Sequence, residues 1–178
     1  MRKVVVYELL SLDGVAEQPD DFITTWDDVM DENLARVIAT QDTVILGRRT
    51  YDDWAAFWPT SDIEPFATFI NRVEKFALAS TSPLSSWSNA TIVDGDLREF
   101  VTSLKREAGN DIGVHGSIAL TKALLELGLV DELRLVVAPA LQMRGRKLFD
   151  KGLPVRLTLT RQITSPEGYL LLDYRVEP

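Results

Sequence analysis

The chain has 178 residues, the size of one domain at about 150 residues each, and enough to bury a single sizeable core. With 46% hydrophobic and 26% charged residues it is neither disordered, collagen-like nor a coiled coil, and with no cysteine it has no disulfide, zinc-thiolate site or thiol nucleophile. Lys+Arg of 19 against Asp+Glu of 27 gives a net charge of −8, which argues against nucleic acid as a partner, since that affinity starts from phosphate neutralisation.

Met1-Arg2-Lys3 opens like a secretory n-region, but the apolar run behind it is short and is broken by Glu8. No run approaches about 18 apolar residues, so the expectation is a cytoplasmic chain with no membrane partner. Val4 to Leu10 reads as a strand buried on both faces. Asp13-Gly14 and Glu17-Gln18-Pro19-Asp20-Asp21 read as turn and loop. Met30, Leu34, Val37 and Ile38 recur at helical spacing within Asp27 to Thr40. Thr43 to Leu46 is a second buried strand, closed by Gly47. Thr50, with Asp53 three residues on, predicts a helix N-cap, and Trp58-Pro59 ends that helix.

Lys75 to Ser80 and Thr91 to Val93 are short strand candidates, with no firm pattern between Thr60 and Lys75. Leu97, Phe100, Val101 and Leu104 form one face of a helix. Ile112-Gly113-Val114 is a strand, and Ser117 caps a helix carrying Ile118, Leu124, Leu125 and Leu127 before Gly128. Alternation then takes over, in Leu133/Leu135/Val137, Val155/Leu157/Leu159 and Leu170/Leu172/Tyr174/Val176, and predicts half-buried strands. Ser165-Pro166-Glu167-Gly168 is a hairpin turn. The reading is a single α/β domain over residues 1–178, with helices on both faces of a mixed, mostly parallel sheet ending in an antiparallel hairpin.

Two strand-to-helix junctions could carry chemistry. Gly47-Arg48-Arg49-Thr50 combines a glycine, a helix start and two arginines, an arrangement that attracts phosphate, although it is not a P-loop. Gly113-Val114-His115-Gly116-Ser117 puts two glycines three apart at a similar junction. Both are also compatible with tight packing alone. His115, the one histidine, cannot build a multi-histidine metal site; it is more readily structural than a general acid. Asp31 sits one turn into an acidic helix start, where a solvated face is the plain reading. Tyr51, Trp54 and Trp58, spaced i, i+3 and i+7, form an aromatic stripe suited to core or to a flat ligand. Arg144-Gly145-Arg146-Lys147 is a basic loop, either a solvated turn or an anion site.

In order, Ser11-Leu12-Asp13-Gly14, Leu46-Gly47-Arg48-Arg49-Thr50-Tyr51, Val114-His115-Gly116-Ser117, Gly128 to Leu135, Pro139 and Arg146-Lys147-Leu148-Phe149 resemble the dihydrofolate reductase-like superfamily. The likeness is to its bacterial branch, which includes the reductase domain of the bifunctional deaminase-reductase of riboflavin synthesis. The resemblance covers essentially the whole chain. It implies a dihydrofolate reductase-like three-layer fold and an NADPH site. That site comprises Gly47, Arg48, Arg49 and Thr50 with Gly113, His115, Gly116 and Ser117 at the phosphates, Ser80 and Thr81 beside the adenosine 2′-phosphate, and Leu9 and Ala16 near the nicotinamide. It also implies a homodimer through the terminal hairpin and the Leu129-Val130-Asp131-Glu132-Leu133 segment. True folate reductases place a tryptophan five residues before a carboxylate and a glycine sixteen residues after it, and Trp26, Asp31 and Gly47 match those intervals. This makes Asp31 the candidate proton-handling group. Their adjacent glycine pair is His115-Gly116 here, and no proline lies between Trp26 and Asp31.

The expected activity is NADPH-dependent hydride transfer to a C=N bond of a pterin-like heterocycle, with Tyr7, Trp26 and Tyr51 lining the substrate pocket. The alternatives are reduction of an aminopyrimidine ribosyl phosphate, with Arg144, Arg146 or Lys147 meeting the phosphate, and an NADPH- or drug-binding protein without turnover.

Overall fold

The apolar run at the start of the chain becomes β1 (Val4–Ser11), buried on both faces because it lies well inside an eight-stranded sheet. A computed structural model describes every residue except Ser82, Leu153 and Pro178. In chain order the elements are β1, α1 (Asp28–Ile38), β2 (Gln41–Gly47), α2 (Arg48–Phe57), α3 (Phe66–Arg72), β3 (Glu74–Leu78), β4 (Ala90–Val93), α4 (Leu97–Arg106), β5 (Asp111–His115), α5 (Ile118–Glu126), β6 (Glu132–Ala138), β7 (Leu157–Thr164) and β8 (Leu170–Val176). The strand order is β4-β3-β2-β5-β1-β6-β8-β7. The six strands from β4 to β6 are parallel, and β8 and β7 close the edge antiparallel to their neighbours.

Helices cover both faces. Met30 and Val37 of α1, Tyr51 of α2 and Ile70 of α3 pack with Tyr7 and Val136 on the first face. Leu104 of α4 and Leu124 of α5 pack with Val6, Ile112 and Leu133 on the second. Each fully buried aliphatic side chain contributes about 1.5–3 kcal/mol. No helix among the described residues is long and apolar enough to cross a membrane.

Several local expectations change. α2 begins at Arg48 with Gly47 as N-cap, two residues before Thr50, because the hydroxyl of Thr50 is drawn to another loop. Ser117 occupies the N-cap of α5 but makes no side-chain cap bond. α3 carries no sequence signal long enough to announce it: seven residues give barely two turns of periodicity. β7 is exposed rather than half-buried, since it is the edge strand of the sheet, and Val155 falls outside it.

Across the middle of the first face runs a polar row. Register places His115, Tyr7, Arg134, Asp173 and Arg161 side by side on β5, β1, β6, β8 and β7. α1 lies over it: Asn33 Oδ1 accepts from Arg36 Nη2 and Arg161 Nη1, both at 2.9 Å, and Arg36 pairs with Asp173 at 2.8 Å. At the other end a 2.7 Å hydrogen bond joins His115 Nε2 to Gln41 Oε1.

Gly113 makes that last contact possible. A Cβ there would lie 2.1 Å from Gln41 Oε1, so the room given up by the glycine is taken by the carboxamide. Gly113→Ala is therefore expected to expel Gln41, leave His115 unpaired and lower stability by about 2–4 kcal/mol in urea unfolding. A change below about 0.5 kcal/mol, the usual size at an uninvolved site, would contradict this packing role.

Candidate active site

In open parallel sheets, ligands gather where strands end and helices begin. β2 and β5 are neighbours, and both end at the same edge. β2 runs straight into α2 at Gly47-Arg48, and β5 reaches α5 through Gly116-Ser117. Two hydrogen bonds tie the junctions together: the Gly47 amide donates to Ser117 Oγ at 3.1 Å, and Thr50 Oγ1 donates to the Gly116 carbonyl at 3.2 Å. Gly116 has φ +61°, and a Cβ there would meet Trp54 at 2.9 Å, so only glycine fits this turn.

The helix caps divide into two groups. Asp27 caps α1 and Asp96 caps α4, each carboxylate accepting from a first-turn amide. Gly47 and Ser117 give α2 and α5 no side-chain cap. A helix start leaves amide donors without intrahelical partners and carries partial positive charge. Two such ends, held side by side, form a donor-lined edge complementary to an anion.

Arg48 and Arg49 flank this edge differently. Arg48 is fixed by Asp52 at 2.5 Å and by the carbonyl and hydroxyl of Thr81, each at 2.7 Å. It thereby draws the exposed Ser80-Thr81 turn against α2. Arg49 points outward with a 71% exposed side chain, 3.8 Å from Glu17. The other oxygen contacts of Glu17 go to Arg146, at 2.7 Å to Nε and 3.1 Å to its amide. Asp13 takes the amides of Gln142 and Met143 and lies 3.8 Å from Lys147. The basic loop is thus tied to the 13–17 loop. The Ser11 hydroxyl holds the Asp13 carboxyl well below its ordinary range, together with these amides.

The remaining sequence candidates separate. Trp26 and Asp31 meet, with Trp26 Nε1 donating to Asp31 Oδ1 at 2.7 Å, both partly open to solvent. Tyr7 is buried in the polar row, and its hydroxyl finds no partner among the described residues. Tyr51 is directed elsewhere: its hydroxyl donates to the Ser85 carbonyl, and it lines a groove with Pro83, Leu84, Ser85, Ser86 and Trp87 at the β3–β4 end of the sheet. Leu9 packs toward the first face and Ala16 toward the second, so their side chains do not converge. Gly113 lies inside β5 behind Gln41, not in the turn.

His115 turns inward, among Tyr7, Phe66 and Phe69, with ring centroids 5.3–6.0 Å away. Burial lowers its pKa to about 3. The side chain is a neutral core group, so it can present only backbone to a ligand and has no proton to give at neutral pH. One group was overlooked. Glu8, the acid that interrupts the first apolar run, is buried at the start of α5, and burial raises its pKa to about 8. Its break in an otherwise apolar strand was the available signal.

Comparison with known proteins gives a consistent picture. The family model of the RibD C-terminal domain matches residues 2–171. The uncharacterized protein YyaP of Bacillus subtilis (strain 168) is 25% identical over 177 residues, covering 97% of this chain and 94% of that one. Among solved structures, a pyrimidine reductase-like protein from Corynebacterium diphtheriae superposes with a TM-score of 0.73 at 15% identity, covering 99% of this chain and 92% of that one. Dihydrofolate reductase from Enterococcus faecalis, complexed with NADP(H), gives 0.62 at 11% identity, covering 99% and 97%. At such identities the structures establish the fold, a dihydrofolate reductase-like α/β sandwich.

The placement of His115 has a measurable consequence. Its pKa is depressed on folding, so its contribution to stability is complete above pH 6.5 and is lost as pH falls toward 3. Its imidazole NMR shifts are expected to stay constant between about pH 5 and 8, where an ordinary histidine titrates. A midpoint near pH 6.5 would place the ring in solvent and contradict the geometry.

Proposed function

Because the chain belongs to the RibD C-terminal domain family, we propose that it is an NADPH-dependent reductase of an aminopyrimidine ribosyl phosphate. The likeness to dihydrofolate reductase is one of fold, so the pterin reading yields to the riboflavin-type one. One observation carries the cofactor half of this reading: the two uncapped helix starts, α2 and α5, pinned to each other by Gly47–Ser117 and Thr50–Gly116.

That edge fits the cofactor chemically. The amides at the Gly47-Arg48-Arg49-Thr50 and Gly116-Ser117 turns would receive the diphosphate. Arg48, Arg49, Ser80 and Thr81 would take the 2′-phosphate, with Arg49 the more exposed cation and Arg48 already positioned through Thr81. When bound, NADPH supplies the hydride.

The acceptor is the ring-opened imine form of the ribosylamine, whose C=N carbon takes the hydride and whose nitrogen takes a proton. Asp31 is the group we assign to hold the heterocycle and deliver that proton, and the Trp26 indole orients its carboxyl through the 2.7 Å bond. Tyr7 contributes the floor of the pocket. Arg146 and Lys147, already gathered beside Glu17 and Asp13, supply positive charge for the substrate phosphate.

A kinetic comparison tests this. The protein should oxidise NADPH with the aminopyrimidine ribosyl phosphate in preference to dihydrofolate. The reverse order restores the pterin reading, and tight NADPH binding with neither substrate consumed favours a binding protein. Asp31→Asn should lower turnover roughly 10²-fold while leaving NADPH affinity within about twofold. Unchanged turnover would remove Asp31 from the chemistry.

We also propose a homodimer through the exposed hairpin. Leu157, Leu159 and Ile163 leave an apolar, unpaired edge along β7, of the kind that ordinarily needs covering. Sedimentation should give a dimer for the native chain and a monomer for Leu159→Lys, whereas a monomeric native chain would refute the interface.

A further inference from the structure

Glu8 stands on β1 directly before Leu9 and faces the second side of the sheet, among Val4, Val6 and Leu10. It is only 2% exposed. The Thr121 hydroxyl, in the first turn of α5, donates to its Oε1 at 3.3 Å, and Thr121 is itself wholly buried. Leu135 is its register partner on β6. The carboxyl therefore lies under the same helix start that meets the Gly47 turn from above.

We propose that Glu8 is a proton-linked positioning residue for the cofactor. As a neutral acid it holds the first turn of α5 in place and leaves that helix end electropositive for the diphosphate. As an anion it takes that end for itself and repels the incoming phosphates. The inference rests on the NADPH reading above.

Burial drives the carboxyl up to about 8, with the Thr121 hydroxyl and the Ser117 backbone offsetting part of the rise. No charged side chain contributes: α5 presents Ser117 and Thr121 to it, β6 presents Leu135, and the rest of its surroundings are apolar. Above pH 8 the 2′-phosphate, with a pKa of about 6, no longer changes charge. Lys75, also shifted to about 8, lies on β3 against the carbonyls of Ile70 and Val73, away from α5.

Binding to the neutral form alone makes NADPH affinity fall roughly fivefold from pH 8 to 9 and nearly tenfold over the next unit. Glu8→Gln, a permanently neutral isostere, should abolish that slope, to within about twofold. Thr121→Val removes a group that favours the anion, so its fall should begin at higher pH. Titration of NADPH from pH 7 to 10 by fluorescence on all three proteins reads this out. Carbon-13 NMR of the free protein should show a glutamate carboxyl titrating near pH 8 that is absent from Glu8→Gln. Parallel profiles for native protein and Glu8→Gln, or a Glu8 midpoint in the ordinary carboxylate range, would overturn the inference while leaving the cofactor site standing. Failure of both proteins to bind NADPH at any pH, with the carboxyl still titrating near 8, would overturn the cofactor reading and the linkage built on it.

Discussion

The cofactor site proposed above depends on two backbone-to-side-chain hydrogen bonds between chain reversals separated by about seventy residues. The Gly47 amide reaches Ser117 Oγ, and Thr50 Oγ1 reaches the Gly116 carbonyl. In each case the polar atom that could have capped its own helix is spent on the other turn. The donors of α2 and α5 are therefore not consumed locally, in contrast to those of α1 and α4 under Asp27 and Asp96. A helix start without a cap forgoes up to about 2 kcal/mol. Two adjacent ones, where neighbouring parallel strands run into helices, are what the proposed cofactor site would exploit.

The sheet explains why both turns arrive together. β2 and β5 pair in parallel, Ile45 opposite Val114, so their carboxyl ends fall at one level. Continuous apolar runs in Thr43–Leu46 and Ile112–Val114 mark such strands, and the glycines behind them mark their ends. Strand identity, helix periodicity and the hairpin were thus legible, since each is local. Cap use was not: Thr50 and Ser117 both looked like N-caps, and only tertiary proximity reassigns their oxygens. The same holds for Gly113, whose missing side chain makes room for a glutamine 72 positions earlier.

The polar row shows a further limit of sequence reading. Arg134 and Asp173 take the polar positions of alternating strands, which pattern alone sends to solvent, yet both are buried beside Tyr7 and Arg161. Their compensation comes from α1, through Asn33 and Arg36. Burial of charge is tolerable there because every carboxylate and guanidinium has at least one opposite or hydrogen-bonding partner, although Tyr7 Oη, Arg36 Nε and Arg134 Nη1 keep unmet capacity. Unmet donors cost more than met ones gain. This patch under α1 therefore keeps buried polar capacity beside the Trp26–Asp31 pair.

The two halves of the proposed site are built from different groups. The dinucleotide half is made mostly of backbone amides and glycine conformations, which leave few obligatory side chains. The acceptor half is made of side chains: Tyr7 rising from β1, Asp31 held by an indole, and Arg146 and Lys147 held by Glu17 and Asp13. Single substitutions there alter charge and shape without touching strand order or helix placement. In that proposal these side chains set the acceptor, and the backbone half sets the hydride source. Glu8 stands at the boundary, a side chain placed under the backbone half, where its proton couples the helix end to the surrounding pH.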